Sequence, residues 1–187
     1  MDVKPTASLA EFFHDAIASA MRNQGVSTSE MTEFYLVNLL ADSTTTTLSR
    51  EPLALRMGEA ATAPPEERAR ALRQVGDSSL YISGFFSDSL QRSLVDVEYY
   101  ITLGGSAYAQ LARMPARGLP ADVYSELAKK FGSLVDVLAE VSEGSSLGNN
   151  LGVVQLYERW LRTGSSWIAR KLRAKGMLPA DTSGEVS

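Results

Sequence analysis

The sequence contains no cysteine and only one histidine, His14. Without cysteine, the chain cannot form disulfides, zinc–thiolate sites, thiolate-bound iron–sulfur clusters or thiol nucleophiles. With one histidine, a di-iron site built from two Glu-x-x-His units cannot be assembled, although Glu11-x-x-His14 supplies one such unit. General acid–base chemistry would depend on carboxylates, lysines or tyrosines. We therefore expect no metal site and no cofactor.

Long apolar runs are also missing, since nowhere do about 18 uninterrupted apolar residues occur. In the first 21 residues, Glu11, His14 and Asp15 interrupt the apolar positions, and no basic segment precedes them in the manner of a signal peptide. We expect neither a membrane span nor a signal peptide. Together with the absence of cysteine, this predicts a cytoplasmic protein.

The composition is typical of a folded chain, with 44% hydrophobic and 21% charged residues among 187. The net charge is −4, yet residues 158–176 hold six basic residues and only one acidic residue, Glu158. Basic residues near a helix C-terminus complement the helix dipole and keep one face solvated. No nucleic-acid recognition motif accompanies them, so we do not expect nucleic acid as a partner.

Apolar residues recur every three or four positions along most of the chain, which predicts helices. No sustained alternation of apolar and polar residues indicates strands, so the predicted fold is all-α, a single compact bundle of six or seven helices over residues 1–179. The polar tail 180–187 is predicted to be disordered. The predicted helices are about 8–24, a second that ends in the run Thr44 to Thr47, a short one after Pro52, 65–86, 90–114, one from Pro120 to Gly144, and 149–175. The predicted core includes Phe12, Phe34, Leu39, Phe85, Ile101, Phe131 and Trp160.

Several polar or unusual residues lie in otherwise apolar helical stretches. Buried polar groups need hydrogen-bond partners, so the polar residues form either a network that ties helices together or the lining of a ligand pocket. Gly104-Gly105 interrupts a helix at a cost of about 1 kcal/mol per glycine relative to alanine, which indicates close approach of a neighbouring helix or of a flat ligand. The candidate ligand-binding residues are His14, Asp77, Tyr81, Asp96, Tyr100, Gly104 and Gly105, with Glu98 and Tyr99 in the same polar group.

Two resemblances bear on function. His14 on the first helix and the segment LGGSAYAQLA resemble the proximal-histidine helix and the glycine-bearing distal helix of haem oxygenases, which implies a haem or other tetrapyrrole with His14 as its axial ligand. The segments EFYLVNLLAD, DSSLYISGFFSDSL and DVEYYITLGGSAYAQLA resemble a group of uncharacterised bacterial all-helical cytoplasmic proteins, over about the first two-thirds of the chain. This second resemblance implies a bacterial origin and no particular activity.

No P-loop, GxSxG elbow or dinucleotide-binding glycine motif is present, and no complete catalytic set is visible. We therefore predict a non-enzymatic helical module that binds a protein partner or a small ligand, with homo-oligomerisation as one form of partner binding. The alternative is the haem oxygenase-like tetrapyrrole-binding protein.

Overall fold

The fold is known from a computed structural model that describes residues 5–43, 51–86, 96–114 and 121–145, together with residues 157, 160, 161, 169, 170, 172 and 173. Within these residues the protein is all-helical, with seven helices in its first 145 residues and no strand. The predicted fold class is confirmed. The helices are α1 (Pro5–Gln24), α2 (Glu30–Ser43), α3 (Leu53–Thr62), α4 (Pro65–Phe85), α5 (Val97–Arg113), α6 (Ala121–Lys129) and α7 (Phe131–Ser145).

Local chemistry explains where several helices begin and end. Gly25 has a φ of 67°, a conformation that suits glycine, and it terminates α1. Ser29 accepts a hydrogen bond from the backbone N–H of Thr32 (3.2 Å) and so caps the start of α2. Pro65 occupies the first position of α4, where its missing N–H costs nothing. Asp96 Oδ1 accepts from the Tyr99 N–H (3.0 Å) and caps α5.

Helix α4 lies at the centre of the bundle. It packs against α5, α7, α3 and α2, while α1 packs mainly against α2 and α7, and α6 mainly against α5. The buried surfaces of these helices form one connected apolar core. Its largest fully buried side chains are Ile17, Leu36, Leu40, Leu72, Val75, Leu80, Tyr108, Leu127, Leu134 and Leu138.

Some predicted helix boundaries differ from those in the structure. Helix α1 begins at Pro5, three residues before its predicted start. Helix α5 begins at Val97, and residues 87–95, which include its predicted start, lie outside the described residues. The single helix predicted from Pro120 to Gly144 is two helices, α6 and α7, which meet at Lys130. They face different neighbours, since α6 packs on α5 whereas α7 packs on α4 and α1.

Most of the predicted core is found in the apolar interior. Leu39 and Phe131 are buried. Phe85 and Ile101 are partly buried and pack against the core. Trp160 is partly buried in the C-terminal unit described below.

The prediction that Phe12 and Phe34 belong to the core is wrong, because 48% and 63% of their surfaces are exposed. In α1 the buried stripe passes through Phe13 and Ile17, and Phe12 lies one position away from it. In α2 apolar residues occur on every side of the helix, so their spacing does not identify the buried face. That face carries Leu36, and Phe34 lies outside it.

The chain divides into two compact units, residues 1–145 and 146–187. The described residues of the second unit are helical, and within it the rings of Tyr157 and Trp160 lie 6.0 Å apart. The Thr44–Thr47 run, most of the predicted helix 149–175 and the predicted tail 180–187 fall outside the described residues. Among the helices that are described, none combines the length and the apolar character needed to cross a membrane.

Candidate functional site

A half-open cleft of about 430 Å³ lies between α2 and α4. Its lining comes from one face of α2 and from two positions a helical turn apart on α4, because residues four apart on a helix lie side by side. The volume falls within the range of small-molecule sites, roughly 300 to 1,000 Å³. The lining residues are Phe34, Tyr35, Asn38, Leu39, Asp42, Ser43, Arg73 and Asp77.

The Asp77 carboxylate forms part of the cleft wall and is held by two tyrosines. Its Oδ1 accepts hydrogen bonds from the hydroxyl of Tyr35 on α2 and from the hydroxyl of Tyr108 on α5, the latter at 2.7 Å. Its Oδ2 lies 3.6 Å from Nε of Arg73, and 30% of the Asp77 side-chain surface remains accessible. The carboxylate is therefore fixed by three helices while it still faces solvent.

An aromatic cluster supports this carboxylate. The ring of Tyr35 stands edge-on to those of Tyr108 and Tyr124, with centroids 6.4 and 6.0 Å away, and Tyr108 stacks on Tyr124. The Arg73 guanidinium carbon lies 5.4 Å from the Tyr35 ring centroid, a cation–π contact. Gly76 admits Tyr108, because a Cβ there would lie 2.7 Å from Tyr108 Cδ1. The ring positions thus depend on a glycine next to Asp77.

Burial has the largest effect on the pKa values of Asp77, Tyr35 and Tyr108. It raises the pKa of Asp77, although the hydrogen bonds from Tyr35 and Tyr108 act in the opposite direction. Burial, followed by the negative charge of Asp77, also raises the pKa of Tyr35 and of Tyr108 far above the ordinary value. Both phenols therefore stay protonated and serve as donors to the carboxylate.

Of the seven predicted ligand-binding residues, Asp77 is the one that lines this cleft. Tyr81, one turn further along α4, is buried; its ring stacks on Phe85 at 5.1 Å and meets the edge of Phe86 at 5.5 Å. Burial raises the pKa of its hydroxyl. Tyr81 therefore belongs to an aromatic contact at the end of α4.

The other polar residues of the predicted group lie at the start of α5. Asp96 caps this helix, as described above, and Glu98 is exposed. Tyr100 is partly buried, and its ring meets that of Tyr99 at 5.3 Å. Burial, followed by Tyr99, raises the pKa of the Tyr100 hydroxyl.

The glycine pair of α5 lies at a helix contact. A Cβ at Gly104 would lie 2.6 Å from Ser79 Cβ on α4 and 2.7 Å from Phe131 Cε2 on α7, so these two side chains occupy the space that glycine leaves. At Gly105 a Cβ would meet the Ala128 carbonyl oxygen and Phe131 Cβ at 3.9 Å, which is ordinary contact. The close approach that the sequence indicates is thus made at Gly104 by protein side chains.

His14 lies on the exposed side of α1. Its ring nitrogens are 3.4 Å from Asp15 Oδ1 and 3.5 Å from Glu33 Oε1, and 61% of its side-chain surface is accessible. Helix α1 packs mainly on α2 and α7, whereas the helix that carries Gly104 packs mainly on α4 and α6. This geometry does not favour a tetrapyrrole between the two helices, and that hypothesis stays a prediction from the sequence.

A second carboxylate, that of Glu126 on α6, connects α6 to the N-terminus of α2 through hydrogen bonds. It accepts from the Ser29 backbone N–H (3.2 Å) and hydroxyl (3.0 Å), from the Thr32 hydroxyl (2.6 Å) and from Lys130 Nζ (3.0 Å). Burial alone would raise the pKa of Glu126, but these hydrogen bonds, that of Thr32 first, lower it to about 2. We refer to Ser29, Thr32, Glu126 and Lys130 as the Glu126 cluster.

Sequence reasoning missed most of the cleft. The spacing of Tyr35, Tyr108 and Tyr124 also fits apolar helix faces, and no pattern singled out Arg73. The four-residue spacing between Arg73 and Asp77, which places both on one side of α4, was the available signal.

Comparison of this chain with protein-family models, with curated proteins and with solved structures finds no match. Among the described residues, no group of three or more histidine, aspartate or glutamate side chains is arranged to hold a metal ion. The resemblance to bacterial helical proteins therefore stays a prediction, and the cleft is the feature of the structure that bears on function.

Proposed function

We propose that the protein is a non-enzymatic binding module and that a small ligand occupies the cleft between α2 and α4. The observation that carries this proposal is the carboxylate of Asp77, which faces the cleft while two tyrosine hydroxyls hold it in place. A polar group fixed before binding loses little entropy when a ligand arrives. Ligand sites typically combine such a group with apolar walls, here Phe34 and Leu39.

The protonation state of Tyr35 and Tyr108 supports a role in ligand binding rather than in nucleophilic catalysis. A tyrosine acts as a nucleophile or base through its phenolate, and the raised pKa values of Tyr35 and Tyr108 keep both hydroxyls protonated. Their protons are directed at Asp77. Their role in this proposal is to position the carboxylate.

A protein partner or a second copy of the chain stays a prediction from the sequence, as do the bacterial origin and the cytoplasmic location. Partner binding has one supporting observation, the exposed apolar surface of α2. Phe34, which lines the cleft, is 63% exposed, and Met31, three residues earlier, is 46% exposed. Exposed apolar side chains that lie together are common in interaction surfaces.

The proposal can be tested by nuclear magnetic resonance with a panel of soluble fragments of positive, negative and zero charge. We expect some fragments to shift the amide signals of α2 and α4 residues around the cleft. Asn38→Trp should abolish these shifts, because Asn38 is exposed and lines the cleft, where an indole would fill the space. Ala61→Trp, at an exposed position of α3, is the matched control and should leave them unchanged. Fragments that shift no cleft signal, or that bind Asn38→Trp equally well, would refute the proposal.

A further inference from the structure

The two oxygens of the Asp77 carboxylate have different surroundings. Oδ1 accepts hydrogen bonds from the hydroxyls of Tyr35 and Tyr108, so both donors are directed at the same atom. Oδ2 is the oxygen nearer to Arg73, and Asp77 lines the cleft with 30% of its side-chain surface accessible. A carboxylate oxygen has two lone pairs, so Oδ2 can accept a hydrogen bond from a ligand.

The guanidinium of Arg73 lies beside this oxygen and also lines the cleft. The distance of 3.6 Å between Arg73 Nε and Asp77 Oδ2 is longer than a hydrogen bond, and 54% of the Arg73 side chain is exposed. Its guanidinium carbon lies 5.4 Å from the centroid of the Tyr35 ring, a contact that helps to hold it in place. A guanidinium carries five N–H donors, so Arg73 can donate to a ligand while it stays next to Asp77.

Other polar side chains of the lining are engaged within the protein. The amide nitrogen of Asn38 and the hydroxyl of Ser43 each donate to a backbone carbonyl oxygen one helical turn earlier, at 2.8 and 2.6 Å. Asp42 has an interaction partner of its own. In the part of the lining that the structure describes, the neighbouring charges of Asp77 and Arg73 are therefore the polar groups best placed to meet a ligand.

Two opposite charges side by side favour a ligand that carries both charges. A simple cation would be attracted by Asp77 but repelled by Arg73, and a simple anion would meet the reverse. In an α-amino acid the ammonium and the carboxylate are attached to the same carbon, so each can meet its opposite charge. Hydrogen bonds between ionised groups are about twice as strong as neutral ones, which favours such a zwitterion over a neutral amide.

Apolar side chains line the same cleft as this charged pair. They are those of Phe34 and Leu39, and Phe34 is the more exposed of the two. We propose, as an extension that rests on the proposed function, that the cleft binds a free α-amino acid with an apolar side chain. The ammonium donates to Asp77 Oδ2, the carboxylate accepts from the Arg73 guanidinium, and the apolar side chain lies against Phe34 and Leu39.

The test uses three probes that share a phenethyl group: phenylalanine, which carries both charges, phenethylammonium, which lacks the carboxylate, and phenylpropionate, which lacks the ammonium. Magnetic resonance titration of the full chain gives both the affinity of each probe and the residues around it. Phenylalanine should bind in the cleft at least about tenfold more tightly than either of the other two, because each of them loses one hydrogen bond between charged groups.

Two variants should give opposite patterns across the probes. Asp77→Asn keeps an oxygen acceptor for the tyrosine hydroxyls but removes the charge, so it should weaken phenylalanine and phenethylammonium about tenfold or more, and not phenylpropionate. Arg73→Gln should weaken phenylalanine and phenylpropionate, and not phenethylammonium. Misfolding cannot produce this crossed pattern, because it would weaken all three probes. Arg70→Gln removes an exposed charge from the same helix outside the cleft, and it should leave all three affinities unchanged.

The results distinguish this inference from the proposed function. The inference is overturned if phenylalanine binds no more tightly than phenethylammonium or phenylpropionate. It is also overturned if either cleft variant leaves phenylalanine binding unchanged or weakens all three probes equally. The proposed function stands in these cases if the fragment panel still shifts cleft signals that Asn38→Trp abolishes. If no probe and no fragment binds in the cleft, both are refuted.

Discussion

Two carboxylates, those of Asp77 and Glu126, connect helices that are distant in the sequence, but their surroundings shift their pKa values in opposite directions. Around Asp77, burial outweighs the hydrogen bonds from tyrosines and raises its pKa. Around Glu126, the donors of the Glu126 cluster outweigh burial and lower its pKa to about 2. The charged form is therefore stabilised at Glu126 and destabilised at Asp77. Glu126 therefore holds helices together as a charged side chain, whereas the charge of Asp77 depends on the two tyrosine hydroxyls and on Arg73.

The depressed pKa of Glu126 predicts a pH-dependent contribution to stability. The pKa falls from an ordinary value of 4.5 to about 2 on folding, so the contribution is complete above pH 4.5 and disappears as the pH falls toward 2. Because 19% of this side chain is accessible and water screens it in part, we expect Glu126→Gln to lower the free energy of unfolding by about 2 kcal/mol at pH 7.

Urea denaturation followed by circular dichroism at several pH values measures this difference. The gap between the natural chain and Glu126→Gln should close as the pH approaches 2. Glu59→Gln, at an exposed position of α3, serves as the control and should change little. A gap that stays constant over this pH range would contradict the assignment.

At the level of single residues, Asp77 could be predicted but its partners could not. A carboxylate in the apolar stretch GDSSLYISGFF needs partners, and this requirement singled it out. Tyr35 and Tyr108 lie at spacings that also fit an apolar helix face, because a tyrosine has an apolar ring and a polar tip. Which of the two properties matters depends on the neighbouring helix, and this information is not local in the sequence.

At the level of elements, neighbouring helices of the bundle approach closely where one of them carries a glycine, which has no side chain. Gly76 admits Tyr108, and Gly84 faces Leu138, whose Cβ would lie 2.6 Å from a Cβ at that position. Gly104 admits Phe131 and Ser79 in the same way. A glycine costs about 1 kcal/mol within a helix, and at these contacts the packing it permits offsets that cost. The central position of α4 therefore depends on small residues on α4 itself and on α5.

The neighbouring glycines of α5 should respond oppositely to the same substitution. Gly104→Ala places a methyl group against Ser79 and Phe131, so we expect a loss of about 1–3 kcal/mol in the free energy of unfolding. Gly105→Ala meets only ordinary contacts and removes the flexibility of glycine, so we expect a gain of up to about 1 kcal/mol.

Urea denaturation of the two variants tests the contrast, and Gly58→Ala provides a reference. Gly58 lies in α3 with nothing within 4 Å of a Cβ at that position, so its substitution reports the helix propensity alone. If Gly104→Ala and Gly105→Ala change the free energy of unfolding in the same direction, the close packing of Ser79 and Phe131 against Gly104 is contradicted.

At the level of elements, helix existence was easier to predict than helix orientation. The periodic spacing of apolar residues predicted α1, α2 and α4 because it reflects local geometry. It placed Phe34 in the core because apolar residues occur around much of α2, and only packing decides which of them are buried. The junction between α6 and α7 at Lys130 was missed because the apolar pattern continues through it while the neighbouring helices change.

For the whole molecule, the all-α class follows from the absence of alternating patterns, but the division into two units does not. The helices α1 to α7 supply every described member of the connected core. Residues 146–187 form their own compact unit, although their apolar spacing resembles that of the preceding helices. Sequence spacing reports which residues are apolar and does not report which other residues they contact.

This division predicts that a chain ending at Ser145 folds without the second unit. We expect it to retain a helical circular dichroism spectrum and a cooperative unfolding transition, because α1 to α7 supply every described member of the connected core. The full chain measured under identical conditions is the control. A gradual transition, or a loss of helical signal greater than removal of the second unit accounts for, would show that the first unit depends on the second.

The aromatic residues are divided between the same two units in a way that is useful for optical spectroscopy. Both tryptophans, Trp160 and Trp167, belong to residues 146–187, whereas six of the seven tyrosines belong to residues 1–145. Light absorbed only by indoles therefore excites fluorescence from the second unit alone. The ultraviolet absorbance of phenols comes mainly from the first unit, including Tyr35 and Tyr108, which donate to Asp77. The natural chain thus carries a separate intrinsic chromophore for each unit.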